Sequence, residues 1–391
     1  MQTKIVLGLG YGDEGKGLVT AHHAGRCPQP LVIRFSGGHQ AGHTVVTEHG
    51  ERHVFSNLGS GTLAGAPTYW SRFCTFSPVD FWRERQALAA KGWNPTLYVD
   101  ALAPVTTPYD VYANRTREQR AGHGSCGMGV GATYERMEGP HKLYVQDLLF
   151  PAVLRLRLAA VRAYYAATTG LPADWEELEA LFIFAVEEVL PVLEVVQERR
   201  FFQEQRYETY IFEGSQGILL DMDHGFFPHV TRARTTSCQA WELIKANGLP
   251  DPEIYYVTRA YQTRHGNGPL SNETRPLTLR PTPLETNQYN PWQGHQRRSI
   301  LDAELLNYAL TCDANYGAAL ASHLVMTCLD QLVEPFRITA AGTLRELASG
   351  QELLAYLDTR FMGYWESWSD GSTGLQQVKG SHLTPRQLMA L

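Results

Sequence analysis

The sequence predicts an α/β fold, with a large, mostly parallel central sheet flanked by helices. Three observations predict it. Short apolar runs recur along the chain, and each stops at a glycine, an acid or another polar residue. Helical stretches with readable ends lie between them. Motifs rich in glycine and polar side chains follow the runs. Strands buried on both faces read as continuous hydrophobic segments. Strands alternating with helices build parallel sheets, whose ligands sit outside the carboxyl ends of the strands.

The expected strands, in order, are Lys4-Ile-Val-Leu-Gly8, Leu31-Val-Ile-Arg-Phe35, Leu97-Tyr-Val-Asp100, Tyr210-Ile-Phe-Glu213, Ile254-Tyr-Tyr-Val257 and Leu324-Val-Met-Thr327. Ser77-Pro78-Val79-Asp80 places an N-cap and a first-turn proline ahead of a helix that Lys91-Gly92 closes. The segment from about 151 to 200 is almost wholly helical in pattern. Asp174-x-x-Glu177 reads as a capping box opening its second half, and Pro191 kinks or breaks that half. No repeat, low-complexity tract or long polar linker divides the chain, so residues 1–391 read as one domain with a helical insertion at about 151–200.

Composition bounds the function. The 391 residues carry 34 Lys plus Arg against 40 Asp plus Glu, a formal charge of -6, with 43% hydrophobic and 19% charged content. A globular protein of mild acidity lacks the basic face of a nucleic-acid binder, so a small-molecule site is sought and no nucleic-acid partner is expected. No apolar run is long enough for a membrane span, and the start lacks the zones of a signal peptide, which predicts a cytoplasmic protein without a membrane partner. Six cysteines stand far apart with no C-x-x-C pair, which predicts reduced thiols.

The first strand runs into Gly8-Leu-Gly-Tyr-Gly-Asp-Glu-Gly-Lys-Gly17, which fits the phosphate-loop spacing G-x-x-x-x-G-K from Gly10 to Lys16. Backbone amides of such a loop, the following helix N-terminus and Lys16 make an anion cradle. Gly17 stands where a phosphate loop has the Ser or Thr that holds magnesium, so Asp13 is the nearest oxygen ligand for a metal. The second strand leads into Ser36-Gly-Gly-His-Gln-Ala-Gly-His-Thr44, whose interleaved glycines argue against a helix presenting two histidines. His43 reads as a general acid or an oxyanion stabiliser, and His39 as structural. Further polar loops are Gly122-His-Gly-Ser-Cys-Gly-Met-Gly-Val-Gly131, Glu213-Gly-Ser-Gln216, Pro228-His-Val-Thr231, Thr235-Thr-Ser237, Thr263-Arg264-His-Gly-Asn-Gly268 and Gln296-Arg297-Arg298. The last two offer donors for carboxylate or phosphate.

Gly12-Asp-Glu-Gly-Lys-Gly17 followed by Gly37-Gly-His-Gln-Ala-Gly-His-Thr44 resembles the adenylosuccinate synthetase family. The same order of motifs continues through Phe212-Glu-Gly-Ser-Gln-Gly-Ile-Leu-Leu-Asp221, Phe227-Pro-His-Val-Thr231, Thr235-Thr236, Ala260-Tyr-Gln-Thr-Arg264, Gly268-Pro269, Thr327-Cys-Leu-Asp330 and Ser372-Thr-Gly374, nearly the full chain. The resemblance implies a P-loop-like, GTP-binding ligase architecture. It implies an enzyme of purine biosynthesis that phosphorylates the 6-oxygen of IMP from GTP and displaces that phosphate with the amine of L-aspartate, giving adenylosuccinate, GDP and phosphate. It also implies a Mg2+ requirement and a cytoplasmic homodimer. By the same correspondence Asp13 takes the purine N1 proton and touches magnesium, Gly42 offers its carbonyl to the metal, His43 is the acid and Lys16 spreads charge over the transferred group. GTP falls to Gly12, Glu14, Gly15, Lys16, Gly17, Thr44, Asp330, Ser372 and Gly374, with Asp330 reading guanine. The purine substrate and the amine fall to Gln40, Ser125, Cys126, Gln216, Thr231, Arg264, Arg297 and Arg298.

The sequence departs from the family pattern in three places. Pro140, followed by His141 and Lys142, stands where the family has an arginine reaching a neighbouring subunit's nucleotide. Cys328 replaces the lysine before the guanine-reading acid. In Asn290-Pro-Trp-Gln-Gly-His-Gln-Arg-Arg-Ser299, His295 and Gln296 replace two of four arginines, one of which contacts the ribose hydroxyl in the family. The alternatives are the same chemistry on another 6-oxopurine (deoxy)nucleotide such as dGMP, or with another amine, or a non-catalytic nucleotide-binding protein.

Overall fold

The structure is a computed structural model. It describes residues 1–47, 49–281 and 289–358, and the backbone alone of 364–367, 370–371, 374–375 and 378–379. Its frame is a ten-stranded sheet of β1 (Gln2–Gly8), β2 (Pro30–Arg34), β3 (Thr68–Trp70), β4 (Leu97–Asp100), β5 (Leu193–Val196), β6 (Thr209–Glu213), β7 (Pro252–Arg259), β8 (Ala321–Thr327), β9 (Tyr364–Ser367) and β10 (Val378–Lys379). The order across the sheet is β10-β9-β8-β7-β1-β6-β2-β3-β4-β5. Every neighbouring pair is parallel except β9 with β10. In the centre Ile5 lies level with Phe212 on one side and Ile254 on the other. From β6 the chain crosses over β1 to reach β7, so the carboxyl ends of β1, β6 and β7 frame a crevice of the kind that binds ligands in such sheets.

Alternation along the strands sorts the core into layers. Ile5, Leu7, Ile33, Phe212, Tyr256 and Met326 share one cluster with Trp241 and Ile244 of helix α7 (Cys238–Asn247) and Leu306 and Ala309 of α8 (Ala303–Ala314). Their neighbours Val6, Val32, Ile211, Val257 and Val325 face the other way, against Val19 of α1 (Lys16–Ala24). Successive strand side chains point to opposite faces, so a strand with apolar residues on both is sandwiched between helices. A third cluster covers β3 and β4 with α2 (Pro78–Ala89), α3 (Pro108–Ala121), α5 (Pro151–Thr168) and α6 (Trp175–Val189). Among the described residues no helix is long and apolar enough to cross a membrane.

All six expected strands lie in this sheet. The α2 N-terminus is as read: Pro78 follows the Ser77 N-cap, whose hydroxyl accepts from the Asp80 amide, and Gly92 turns the chain away at φ 84°. Two expectations are corrected. Residues 151–200 are not wholly helical, because α6 ends at Val189, Pro191 sits in a single 3-10 turn, and Leu193–Val196 is the edge strand β5. Leu193 and the adjacent Val195-Val196 supply β-branched and apolar residues that extend beside β4 once proline has stopped the helix. Asp174 stands at the α6 N-cap position, but its side chain caps nothing. Its backbone, at φ -96° and ψ 26°, lacks the extended conformation that turns a cap side chain towards the third helical amide.

Candidate active site

The phosphate loop follows β1 and delivers the chain into α1 at Lys16. Gly12, Asp13 and Gly15 all have positive φ, at 97°, 64° and 98°, a sequence that turns successive amides inward. The Glu14 carboxylate folds back into this concavity. It accepts from the amides of Gly10 at 3.0 Å and Gly12 at 2.7 Å and from Lys16 Nζ at 2.8 Å, with both side chains buried. An internal anion thus occupies the cradle. Thr327 Oγ1 donates to the Glu14 carbonyl at 2.7 Å and ties the loop to the end of β8.

His43 begins a short strand (His43–Val46) after the loop that follows β2, and residues 36–42 are not helical. It packs against the start of α1: a Cβ placed on Gly17 would lie 2.8 Å from His43 Cβ. His43 Nδ1 lies 2.6 Å from Glu213 Oε1, both buried, and the Ser60 amide and hydroxyl also bond to that carboxylate. Burial works to raise the Glu213 pKa, but His43, Arg34 and Ser60 outweigh it and hold it at about 2. The ionised carboxylate only accepts, so Nδ1 carries the proton and Nε2 is left for chemistry. Burial, aided by Arg34 and Lys16, keeps the His43 pKa below its ordinary value against the pull of Glu213. His39 sits apart, with Nε2 3.2 Å from the Met128 carbonyl.

Asp13 faces the other side of the loop. Its Oδ2 lies 3.2 Å from His265 Nε2, and Arg259 Nε donates to its carbonyl at 2.5 Å. Burial favours the neutral acid, but His265, Arg259 and Lys16 together hold the Asp13 pKa below the usual carboxylate value, so it is ionised.

Of the expected purine contacts, Gln216 lies against the phosphate loop. Gln216 has φ 45°, and its Oε1 accepts from Ser215 Oγ at 2.7 Å; a Cβ on Gly37 would lie 3.0 Å from that Oε1, and one on Gly12 3.7 Å from Gln216 Cα. Gln40 Oε1 is buried without a hydrogen-bond partner among the described residues, as a group awaiting a ligand would be. Ser125 Oγ accepts from Asn114 at 2.8 Å, and burial pushes the Cys126 thiol up, which keeps it neutral. Thr231 donates its amide to the Leu220 carbonyl at 2.8 Å. Gly42 is exposed next to His43, and Thr44 follows on the same strand.

The arginines are not equivalent. Arg264 stacks over Tyr11 at 4.3 Å and donates to the carbonyls of Asn267, Pro269 and His229. Arg297 binds both Glu273 oxygens, at 3.1 and 2.9 Å, and the Gly266 and Gly268 carbonyls. Both hold loops together. Arg298 is engaged only by Gln296 Oε1 at 3.1 Å among the described residues and is exposed.

Asp330 is exposed in a 3-10 turn (Leu329–Gln331) after β8, and Cys328, two residues before it, is buried at φ 59°. Gly374 pairs with Gly371 in a small antiparallel ladder that approaches both α1 and the Asp330 turn. Ser372 lies outside the described residues. In place of the family's arginine, the Pro140 segment lends the His141 carbonyl to buried Arg136, at 2.7 Å.

Sequence reasoning assigned no role to Glu213, Ser60, Arg259 or His265 as partners of His43 and Asp13. His265 carried a signal, as a titratable residue inside a glycine-rich motif after a strand. Ser60 carried none, since its contact with Glu213 spans 153 positions.

The family model described as adenylosuccinate synthetase matches residues 5–374. An adenylosuccinate synthetase of Bordetella avium is 31% identical over 98% of this chain and 91% of its own length. The solved structure of a fully ligated adenylosuccinate synthetase from Plasmodium falciparum superposes with TM-score 0.75 at 18% identity, covering 97% of this chain and 100% of that one. A cyanophage S-2L succinoaminodeoxyadenylate synthetase, solved with dGMP and with dATP as energy donor, superposes with TM-score 0.59 at 18% identity over 92% and 99% of the two chains.

Proposed function

Because the chain belongs to the adenylosuccinate synthetase family, a family of purine-nucleotide, carbon-nitrogen ligases, we propose that it transfers the γ-phosphoryl group of GTP to the 6-oxygen of IMP and replaces it with the amine of L-aspartate. The products are adenylosuccinate, GDP and phosphate. The observation that carries this reading is the pair of oriented groups flanking the phosphate loop: Asp13, ionised and braced by His265, and His43, braced by Glu213.

A lactam oxygen is a poor nucleophile. Asp13 accepts the N1 proton, the N1–H pair forms the N1–C6 double bond as the C6–O6 π pair moves onto O6, and O6 attacks the γ-phosphorus, whose bond to the β-phosphate oxygen breaks to release GDP. Lys16 and the loop amides, released from Glu14, stabilise the charge on the transferred group. His43 starts neutral; the nucleotide's negative charge beside it draws a proton to Nε2, which then donates to the phosphoryl oxygens. Gln40, Gln216, Thr231, Ser125 and Cys126 hold the purine nucleotide, and Asp330 and the segment at Ser372 and Gly374 hold guanine. Mg2+ would be held by the hard oxygen donors present, the Asp13 carboxylate and the Gly42 carbonyl, and would neutralise phosphate charge there. The protein acts as a cytoplasmic homodimer in purine biosynthesis on this reading.

A second reading, the same chemistry on a 6-oxopurine deoxynucleotide such as dGMP or with another amine, is favoured by the arginines. With Arg264 and Arg297 bound within the chain, Arg298 is the exposed guanidinium left in the substrate loops. Mass spectrometry decides. GTP, Mg2+ and each of IMP, dIMP, GMP and dGMP are incubated with and without L-aspartate. An aspartate-dependent succinyl adduct of IMP is expected; an adduct of dGMP alone replaces the first reading with the second. No adduct with any of them overturns L-aspartate as the amine.

A further inference from the structure

We infer that His265 is a positioning residue for Asp13: its imidazole holds one carboxylate oxygen so that the other is presented to the reacting base. The inference rests on the reading of Asp13 as proton acceptor and adds to it a group that the phosphate loop does not supply.

The backbone of Asp13 is pinned. It adopts a left-handed φ of 64°, and its carbonyl receives Arg259 Nε. Neither restraint fixes the carboxylate, which turns about two side-chain bonds. His265 Nε2, 3.2 Å from Oδ2, supplies the missing restraint, and no hydrogen bond from the described residues reaches Oδ1. Oδ1 is therefore the oxygen that forms the new O–H bond when N1–H breaks, and His265 neither gains nor loses a proton in that step.

The tautomer is decided locally. An ionised carboxylate only accepts, so the imidazole proton sits on Nε2. Nδ1 is buried and has no hydrogen-bond partner among the described residues.

His265 is itself held by a clamp of three loops. The next residue, Gly266, donates its amide to the Gln293 carbonyl at 3.2 Å and accepts from Arg297 at 2.8 Å. A Cβ on Gly266 would lie 2.5 Å from the Gly124 carbonyl, so the loop around 124 touches it as well. Gln293 Nε2 closes the clamp on the Gly124 carbonyl at 3.0 Å. The rotamer of Asp13 is thereby coupled to the loops expected to hold the purine and the amine.

The test compares His265→Val with His265→Gln, whose amide nitrogen can reach the place of imidazole Nε2. Losing the orienting bond in His265→Val is expected to lower kcat by roughly 10–100-fold, the range for partners that orient a reactive group, with KM for GTP unchanged. His265→Gln is expected to restore most of it. In an Asp13→Asn background the His265→Val change is expected to cost nothing further, because the two act as a unit. Wild-type kcat in His265→Val, or equal impairment in both variants, overturns the inference. Nitrogen-15 NMR of the His265 ring supplies a readout that needs no substrate. A single Nε2–H tautomer that is lost in Asp13→Ala supports the pairing, and a tautomer indifferent to Asp13→Ala overturns it. A locked tautomer in a protein that turns over none of the 6-oxopurine nucleotides removes the substrate reading and leaves the pairing standing.

Discussion

Glu213 Oε1 lies 2.6 Å from Nδ1 of His43, and both side chains are buried, the carboxylate completely. The carboxylate ends the central strand β6, while the imidazole comes from the loop after β2, so strand pairing brings them together: Arg34 at the end of β2 lies level with Glu213. Ser60 bonds both oxygens of the carboxylate, its hydroxyl to Oε1 and its amide to Oε2. An ionised buried carboxylate held in this way orients an imidazole at little reorganisation cost when charge develops.

Glu213→Gln keeps the shape and removes the charge. The amide can present either oxygen or nitrogen to Nδ1, so the His43 tautomer is no longer imposed. We expect kcat to fall by about 10²-fold, within the usual range for losing general acid–base assistance, with KM for GTP little changed. Steady-state kinetics checks this; an unchanged kcat removes Glu213 from the proton-handling apparatus.

The fold was legible because buried parallel strands announce themselves. Ile5-Val-Leu7, Leu31-Val-Ile33 and Ile254-Tyr-Tyr-Val257 are continuous apolar segments whose alternate residues serve two helical layers. The edge strand Leu193–Val196 was not, since it follows a helix and a proline turn closely and its short apolar pattern does not distinguish strand from helix. The site was half legible. Asp13, Lys16 and His43 stand in dense local motifs, whereas the groups that orient them, Glu213, Ser60 and His265, are set by pairings 153 to 252 positions apart. Those separations are the differences 213 - 60 and 265 - 13. Local patterns carry no record of such pairings.

Arg136 joins α3 and α4 (Val130–Glu138), the two helices that bracket the glycine-rich loop at 122–129. Its guanidinium bonds both Asp110 oxygens, at 2.9 and 3.1 Å, and the carbonyls of Val105 and His141, with no exposure of either side chain. Arg136→Met would leave Asp110 buried with its charge partner gone. We expect a loss of about 3–5 kcal/mol in urea unfolding, the usual cost of breaking a buried pair from one side. A loss under about 1 kcal/mol, as for an exposed pair, would show that Asp110 is rescued by Thr107 and Tyr165, its other partners.

Asp330 is exposed, and no side chain among the described residues is bonded to its carboxylate. A free carboxylate can accept two N–H donors from guanine and meets only a lone pair at adenine N1. Asp330→Asn should therefore cut the preference for GTP over ATP by roughly 10-fold or more, the worth of a charge-assisted hydrogen bond of about 1.5–3 kcal/mol. The ratio of kcat/KM for the two nucleotides measures it, and an unchanged ratio assigns guanine recognition elsewhere.

Acid should destabilise the fold in a window that His23 sets. His23 lies in the last turn of α1, packed 4.3 Å from the Tyr255 ring and 5.4 Å from His22, with Lys4, Arg26 and His323 as the other charged or titratable neighbours. Burial, reinforced by those positive charges, lowers its pKa from 6.5 to about 2. The folded state thus refuses a proton that the unfolded chain takes up below about 6.5, so stability falls as the pH drops through that value and goes on falling to about 2. Each such histidine contributes a slope of about 1.4 kcal/mol per pH unit. Glu213, held at about 2 against an ordinary 4.5, loses its contribution only in the lower range between those values, so it is silent above pH 5. Urea unfolding at pH 6.5 and pH 5 should show wild type losing about 1.7 kcal/mol more than His23→Gln over that interval, the slope being half its full value at pH 6.5. Because the comparison is between slopes, any fixed cost of the substitution cancels, and parallel slopes would mean that His23 is protonated in the folded protein.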